Sequence, residues 1–298
     1  MYDISVIIPS HNRSKLLKKT LQLLNEQTYP RRKFEAIVVD DGSTDDTEKT
    51  VREFQNAADY KLKYMSQAQR GPGSARNRGI KASESDFVLF IGDDIFPEKK
   101  LIERHITSLR QYPEAAVLGL VDWSKECEVT DFMHYAAPNG FQFRYNTIKN
   151  PEDCDFKHFY TSNISLAKRW LMEELFDEDF PYGALEDAEL SYRLKKKGLR
   201  IIFNNEAIGY HFHPMTLESF CHRMRVTGIS AVMMLKKHPG LKSILLPVNG
   251  TAAGIIFSML VKMAFIKKIN KKFYWYCKIV SSYLEGIKEA SLVKKTIP

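Results

Sequence analysis

Phe34-Glu35-Ala36-Ile37-Val38-Val39-Asp40-Asp41-Gly42-Ser43-Thr44 is an apolar, β-branched run that ends abruptly on two carboxylates and a glycine. A short apolar run without alternation reads as a strand buried on both faces, the habit of parallel sheets covered by helices. The same grammar recurs on both sides of it. Ile4 to Pro9 leads into a polar turn, Ser10 to Ser14, and then into Lys15 to Asn25, whose leucines at 16, 17, 21 and 24 have helical spacing. After Thr44 a helix-like stretch runs to about Phe54, followed by Leu62 to Met65, a Gly/Pro turn at Gly71 to Gly73, a helix through Ile80, and Phe87 to Ile91 ending on Gly92-Asp93-Asp94. Strands alternating with helices build βαβ units, so the pattern predicts an α/β fold with a mostly parallel central sheet flanked by helices. Ligands of such sheets lie beyond the carboxyl ends of the strands, which directs attention to the polar residues following each run.

Two of those ends carry adjacent carboxylates, Asp40-Asp41 and Asp93-Asp94. Neighbouring carboxylates repel and are costly to desolvate, so they favour sites where a cation or ligand hydroxyls offset the charge. Taken alone, Asp41-Gly42-Ser43 reads equally well as a turn with a helix N-cap at Ser43 or Thr44. Two pairs on strand ends of one sheet point instead to a shared site.

With these segments in order, the chain resembles glycosyltransferase family 2, whose members have the GT-A fold. The matching stretches are VIIPSHNR (6–13), VVDDGSTDDT (38–47), GPGSARNRGI (71–80), FVLFIGDDIFP (87–97), TSNISL (161–166), EDAELSYRL (186–194) and YHFHP (210–214). The resemblance implies an inverting transferase that takes a sugar from a nucleotide-diphosphate sugar, UDP being the family's commonest donor nucleotide. On that basis Pro9, Ser10 and Asn12 line the nucleotide pocket, Asp41 meets the uracil or ribose, Arg76 and Asn77 close over the nucleotide, and Asp93 approaches the ribose. Asn163 contacts the donor sugar or shapes the acceptor pocket. Asp94 binds Mg²⁺ or Mn²⁺ at the diphosphate. The family's metal motif is often DxD, and Gly92 stands at its first position here, so a further ligand is wanted. His211 or His213 can supply it, His211 first, because neutral imidazole suits Mn²⁺. Glu186-Asp187 matches the family's ED motif, with Asp187 as general base. The chemistry agrees: a cation stabilises charge developing on the departing diphosphate, and a carboxylate deprotonates the acceptor hydroxyl. Two arginines, Arg223 and Arg225, are candidates to reach the diphosphate. The stretch FCHRMR (220–225) stands where processive members carry QxxRW, which points to addition of one sugar at a time. The aromatics Trp123, Phe132, Tyr135, Phe141, Phe143 and Tyr145 fall where acceptors bind, and read either as a sugar platform or as core.

The chain has 298 residues and 44% hydrophobic composition, enough for one large domain and an appendage. Residues 1–235 read as the catalytic domain, 1–120 its nucleotide-sugar half and 121–235 its acceptor half, and 236–298 as an apolar, basic helical tail. Beyond Val121 the alternation weakens, and Phe132 to Tyr160 reads as loops and short strands, whereas Leu185 to Lys197 reads as a helix. Four dispersed cysteines suggest neither a disulfide framework nor a zinc site. No secretory signal is read at the N-terminus, so a cytoplasmic setting is expected. From Lys262 onward nine lysines face two glutamates, so nearly all of the net charge of +8 lies in the tail. That segregation from the acidic strand ends argues against nucleic acid as a partner. Together with the 19 uncharged residues between Lys242 and Lys262 and the aromatic run Phe273 to Tyr276, it suggests association with an anionic membrane surface, which suits a glycan or lipid-linked acceptor at the cytoplasmic face. Two alternatives stand beside this reading. A sugar nucleotidyltransferase usually carries a Gly-rich basic loop after its first strand, where this chain has Pro-Ser-His-Asn-Arg. A catalytically inactive scaffold is suggested by Gly92 and opposed by Asp94 and Asp187.

Overall fold

Apolar runs that can be buried on both faces alternate, over the first hundred residues, with segments carrying an apolar helical stripe. The computed structural model describes residues 2–180, 182–246 and 270–292. Strands β1 (Ile4–Ser10), β2 (Phe34–Asp41), β3 (Lys61–Gln67) and β4 (Phe87–Ile91) alternate with helices α1 (Ser14–Asn25), α2 (Thr47–Gln55) and α3 (Pro72–Ala82). Each expected segment is found within a few residues of its place. All of β2 is buried, as continuous apolar runs require. Helix α1 turns Leu17, Thr20, Leu21 and Leu24 inward.

There follow β5 (Ile95–Pro97), α4 (Leu101–Gln111), β6 (Ala115–Trp123), α5 (Asp131–Ala136), β7 (Asn163–Ala167), α6 (Lys168–Glu173), α7 (Glu186–Lys196) and β8 (Arg200–His211). The stretch from Phe132 to Tyr160 contains the end of α5 and two single 3-10 turns, at Tyr145–Thr147 and Phe156–His158, rather than short strands.

The strands form one sheet in the order β3-β2-β1-β4-β7-β6-β8-β5. The first four are mutually parallel. Strand β7 is antiparallel to both β4 and β6, and β6 is parallel to β8. Two reversals restore the original direction, so β8 runs the same way as β1, β2 and β4. The sheet is thus mixed: its parallel character holds except at β7 and the edge strand β5, which is antiparallel to β8. The consequence for function is that the carboxyl ends of β1, β2, β4 and β8 lie along one edge of the sheet. This sheet belongs to a compact unit made of Met1–Thr130, Ala136–Gly183 and Asp187–Pro214.

A second unit comprises Asp131–Tyr135, Ala184–Glu186 and Met215–Pro298. Its helix α8 (Leu217–Lys237) starts from a capping box in which Thr216 and Ser219 satisfy each other's backbone N–H. After the short α9 (Lys242–Leu245), helix α10 (Lys271–Leu292) packs along α8. The two touch backbone to backbone: a Cβ at Gly286 would lie 1.9 Å from the Arg225 carbonyl oxygen, and one at Gly228 only 2.1 Å from that of Tyr283. Arg225 pairs with Glu289 at 2.5 Å. Trp275, placed by its sequence context in an aromatic belt, is buried against Phe132 and Tyr135, with ring centroids 5.4 and 5.3 Å away, while Phe273 and Tyr276 are exposed. Most of the apolar stretch between Lys242 and Lys262, with Lys267 and Lys268, lies outside the described residues. Among the described residues no helix is long and apolar enough to cross a membrane.

Glycine to alanine in an open helix position usually stabilises, by up to about 1 kcal/mol. At Gly286 the sign should reverse, because the added methyl group meets a carbonyl that cannot move without parting the helices. Thermal unfolding should show Gly286→Ala losing about 1–3 kcal/mol. Gly240→Ala, where a Cβ meets nothing within 4 Å, should be close to neutral.

Candidate active site

Backbone hydrogen bonds bring the β4 and β8 ends together. The chain turns tightly after β4, with the Ile95 N–H donating to the Gly92 carbonyl (3.2 Å), and Ile95 then pairs in register with His211. The Phe212 N–H donates to the Asp94 carbonyl (2.9 Å). Asp94 is thereby laid beside the end of β8. A Cβ at Gly92 would stand 2.7 Å from Asp94 Oδ1. A carboxylate at position 92 would require the Asp94 side chain to shift from this rotamer.

Both aspartates are buried. Asp94 Oδ2 is approached by Arg13 Nη1 at 2.5 Å, His213 Nδ1 at 3.3 Å and His211 Nε2 at 3.4 Å. Asp93 accepts from Ser10 Oγ (2.8 Å) and Arg13 Nη1 (3.2 Å), and its carbonyl accepts from Thr20 Oγ1 (2.9 Å). Their environments push the two carboxyls apart. Burial, with the Asp94 charge beside it, raises Asp93, whereas at Asp94 burial is overcome by the two imidazoles and Arg13, which hold it well below the usual carboxylate range. The histidine rings are fixed by stacking: His211 lies parallel to Trp123 (5.6 Å) and to His213 (5.1 Å), with the edge of Phe143 against it at 5.8 Å.

Asp94, His211 and His213 each offer a ligand atom, all within 4.8 Å of one another. Ligands at right angles around a cation with bonds near 2.1 Å stand about 3 Å apart, and Asp94 Oδ2 lies 3.4 and 3.3 Å from the nitrogens of His211 and His213. One carboxylate and two imidazoles make a borderline donor set suited to Mn²⁺. These residues fit a divalent cation.

Other residues expected at the site are engaged in holding loops. Asp40 accepts from the Ser43 N–H (2.8 Å) and the Tyr64 hydroxyl (2.7 Å). Asp41 accepts from Gln67 Nε2 and the Arg70 N–H on Oδ1, and from the Gly71 N–H on Oδ2, all at 2.8–2.9 Å, so it secures the loop that enters α3. Asn12 Oδ1 accepts from the Thr44 N–H (2.7 Å). Helix α2 starts at Thr47, later than a cap at Ser43 or Thr44 would place it, and Asp45 bonds the N–H groups of both Ser14 and Thr47. Asn77 is buried, its amide donating to the Phe176 carbonyl and Glu178 and accepting from the Phe176 N–H, and Arg76 lies over the Phe176 ring. Pro9 and Ser10 end β1, in register with Val39 and Asp40. Glu186 is buried and Asp187 half-buried at the start of α7, the latter accepting the Ala188 N–H (2.8 Å).

The aromatic residues divide likewise: Trp123, Phe143 and Tyr145 are buried, and the Tyr145 hydroxyl takes the Val121 N–H and donates to the Gly119 carbonyl. Sequence reasoning missed Arg13, although it ends the VIIPSHNR stretch, and the parts played by Trp123 and Phe143 in orienting His211. Among the described residues, three non-glycine residues have positive φ: Asn12 (53°), Phe143 (52°) and Leu185 (67°). Asparagine tolerates this region, but phenylalanine and leucine do not. The first of these two packs on His211 and the second immediately precedes Glu186, and such strain persists only where the surroundings impose it.

Asn163 is fully buried beneath the β6–β8 register shift at Gly119/Leu120. Its amide donates to the carbonyls of Leu120 (3.0 Å) and Ala207 (2.8 Å), leaving Oδ1 as the acceptor for His105 Nε2–H (2.8 Å). His105 Nδ1 must then accept from Ser165 Oγ (2.8 Å), which fixes the tautomer. Burial, opposed by the Asn163 bond, pushes His105 down to about 4. Unfolded, the ring titrates near 6.5. Between these values the unfolded chain takes up a proton that the folded chain refuses, so this contribution is complete above about pH 6.5 and lost as pH falls toward 4. Chemical denaturation should show stability dropping between pH 7 and 4.5, on the order of 3 kcal/mol from this ring. A His105→Gln variant should start lower and drop less.

Comparison with known proteins agrees with this architecture. The profile of glycosyl transferase family 2 matches residues 5–176. A hyaluronan synthase of Pasteurella multocida is 27% identical over 279 residues, covering 83% of this chain and 28% of that protein. The chain spans well under half the length of the first such relatives. Among solved structures, the mannosyltransferase PcManGT from Pyrobaculum calidifontis in complex with GDP-Man and Mn²⁺ superposes with a TM-score of 0.68 at 18% identity, over 99% of this chain and 89% of that one. TarS 1-349 of S. aureus in complex with UDP gives 0.56 at 19%, over 98% and 92%. Both share the fold. With the family profile covering more than half of its residues, this chain belongs to glycosyl transferase family 2.

Proposed function

We propose that this protein is an inverting, metal-assisted glycosyltransferase that moves a sugar from a nucleotide-diphosphate sugar, UDP-linked in the first instance, to a glycan or lipid-linked acceptor. The observation that carries the reading is the convergence of Asp94, beyond β4, with His211 and His213, at and beyond the end of β8, with Ser10, Asp93 and Arg13 around them. The bound GDP-Man and Mn²⁺ of the mannosyltransferase and the bound UDP of TarS support a nucleotide donor at this edge.

In this reading Asp94, His211 and His213 hold the cation, which when bound supplies positive charge to the diphosphate oxygens. Arg13 shares Oδ2 of Asp94 with both histidines and is placed to shift its guanidinium toward the same phosphates. Asp93, with Pro9 and Ser10, faces the ribose. Asp41, whose Oδ2 carries one donor, accepts an N–H from the base. Asn12, Arg76, Asn77 and Asn163 act by holding these groups in place. Asp187, assisted by Glu186, removes the proton of the acceptor hydroxyl as that oxygen attacks the anomeric carbon opposite the diphosphate. The C1–O bond breaks, its electron pair leaves with the diphosphate, and the configuration inverts. Transfer is of one sugar at a time.

Residues 1–235 carry this chemistry, and 236–298, with nine lysines from Lys262 onward and the exposed Phe273 and Tyr276, associate with an anionic membrane surface at the cytoplasmic face. Absence of co-sedimentation with anionic vesicles rejects the membrane role, and co-sedimentation that is insensitive to salt rejects the part assigned to the lysines.

Two substitutions test the chemistry by nucleotide release from a panel of nucleotide sugars with Mn²⁺. Asp94→Asn should lower kcat by about 10²–10³-fold and weaken Mn²⁺ binding. Asp187→Asn should lower kcat by about 10²–10⁴-fold while donor binding stays intact. Undiminished turnover in either variant removes that residue from its role.

A further inference from the structure

A cavity of about 490 Å³ lies in the irregular stretch between β6 and β7, closed on one side by Lys195 of α7. That volume is within the range of small-molecule sites. Its wall is strongly cationic, carrying Arg144, Lys149, Lys157 and Lys195 against the carboxylates Asp153 and Asp155. The carboxylates are committed: Asp153 takes Lys195 at 2.5 Å, and Asp155 accepts the Lys157 N–H while standing 3.8 Å from its ammonium. Among the described residues no carboxylate lies within ion-pair distance of Arg144 or Lys149. Cations gathered in one concavity repel each other, and an anion seated among them removes that cost. Arg144 adds a planar fork suited to phosphate or carboxylate.

The cavity is tied to the reaction centre through its own wall. Tyr160 lines it and accepts the Arg144 N–H (3.1 Å). Burial raises the Tyr160 phenol, and the Asp187 carboxylate adds to the rise, so the proposed base acts on this side chain. The Tyr160 ring packs on Phe143 at 5.4 Å, and Phe143 on His211 at 5.8 Å. Lys195 follows Asp187 by two turns of α7, about 12 Å along the helix axis. An acceptor with its hydroxyl at Asp187 and a charged group in the cavity therefore extends beyond its first sugar.

We infer that this cavity is an acceptor subsite for an anionic group, a phosphate or a carboxylate, carried on the acceptor next to the sugar that receives the transferred residue. The inference rests on Asp187 being the base, but anion binding can be measured without that reading. The full-length protein would be titrated calorimetrically, without divalent cation, with inorganic phosphate and with glucuronate, as the wild type and as an Arg144→Gln/Lys149→Gln double variant. Both side chains are exposed, so the variant should unfold at the wild-type temperature. Wild type should bind at least one of the anions, and the double variant should bind it at least about tenfold more weakly, the scale of one lost charge-assisted contact. A preference for phosphate identifies a phosphate-bearing acceptor, and a preference for glucuronate a uronate-bearing one. If wild type binds neither anion, or the double variant binds as tightly as wild type, the subsite does not exist. UDP titrated with Mn²⁺ reports the strand-end site separately and should be unchanged in the variant. Its failure in the wild type overturns the donor reading and leaves the anion result to decide the cavity.

Discussion

Asp94 is a buried carboxylate, and a buried carboxylate must be paired. One of its oxygens meets Arg13 from the β1 loop, His211 from the end of β8 and His213 just beyond it. These partners lie far apart in the chain. Their meeting depends on strand direction: only because β7 runs against both of its neighbours does β8 point the same way as β1 and β4. Reversing one of those pairings would carry the histidines to the opposite edge. The sheet's mixed character is therefore the condition for the site.

A second demand is that the loops beyond the strands keep their shape before any ligand binds. Most of the polar residues in the family motifs serve that end. Asp40, Asp41, Asp45 and Asn12 accept backbone N–H groups that would otherwise be lost to the turns, and Asn77 fastens the segment around Phe176 to α3. Asn163 satisfies the two carbonyls freed by the register shift between β6 and β8 and fixes the tautomer of His105. Holding such groups in advance lowers the reorganisation that binding would require. Many side chains of the motifs are thus hydrogen-bonded within the frame of the site.

In the helical unit, close approach is decided by what is missing from the side chains. Gly228 and Gly286 let α8 and α10 touch along their backbones, and Trp275 fills the space beside Phe132 and Tyr135. An aromatic run that looked like a membrane-facing belt is divided by this packing, with one member taken into the core and two left outside.

The linear sequence determined the α/β class and the positions of β1 to β4 and α1 to α3, and it singled out Asp94, His211 and His213, which the fold brings together. It could do so because buried parallel strands and amphipathic helices each have a local signature. Tertiary structure alone decided the reversals at β7 and β5, the pairing of Arg13 with Asp94, and the close approach of position 92 to the Asp94 carboxylate. It also bonded Asn77 and Asn163 to backbone groups remote in sequence, and it gathered Arg144, Lys149 and Lys195 around one cavity. No local pattern announces these, since each arises where segments far apart in sequence come within hydrogen-bonding or Coulombic range.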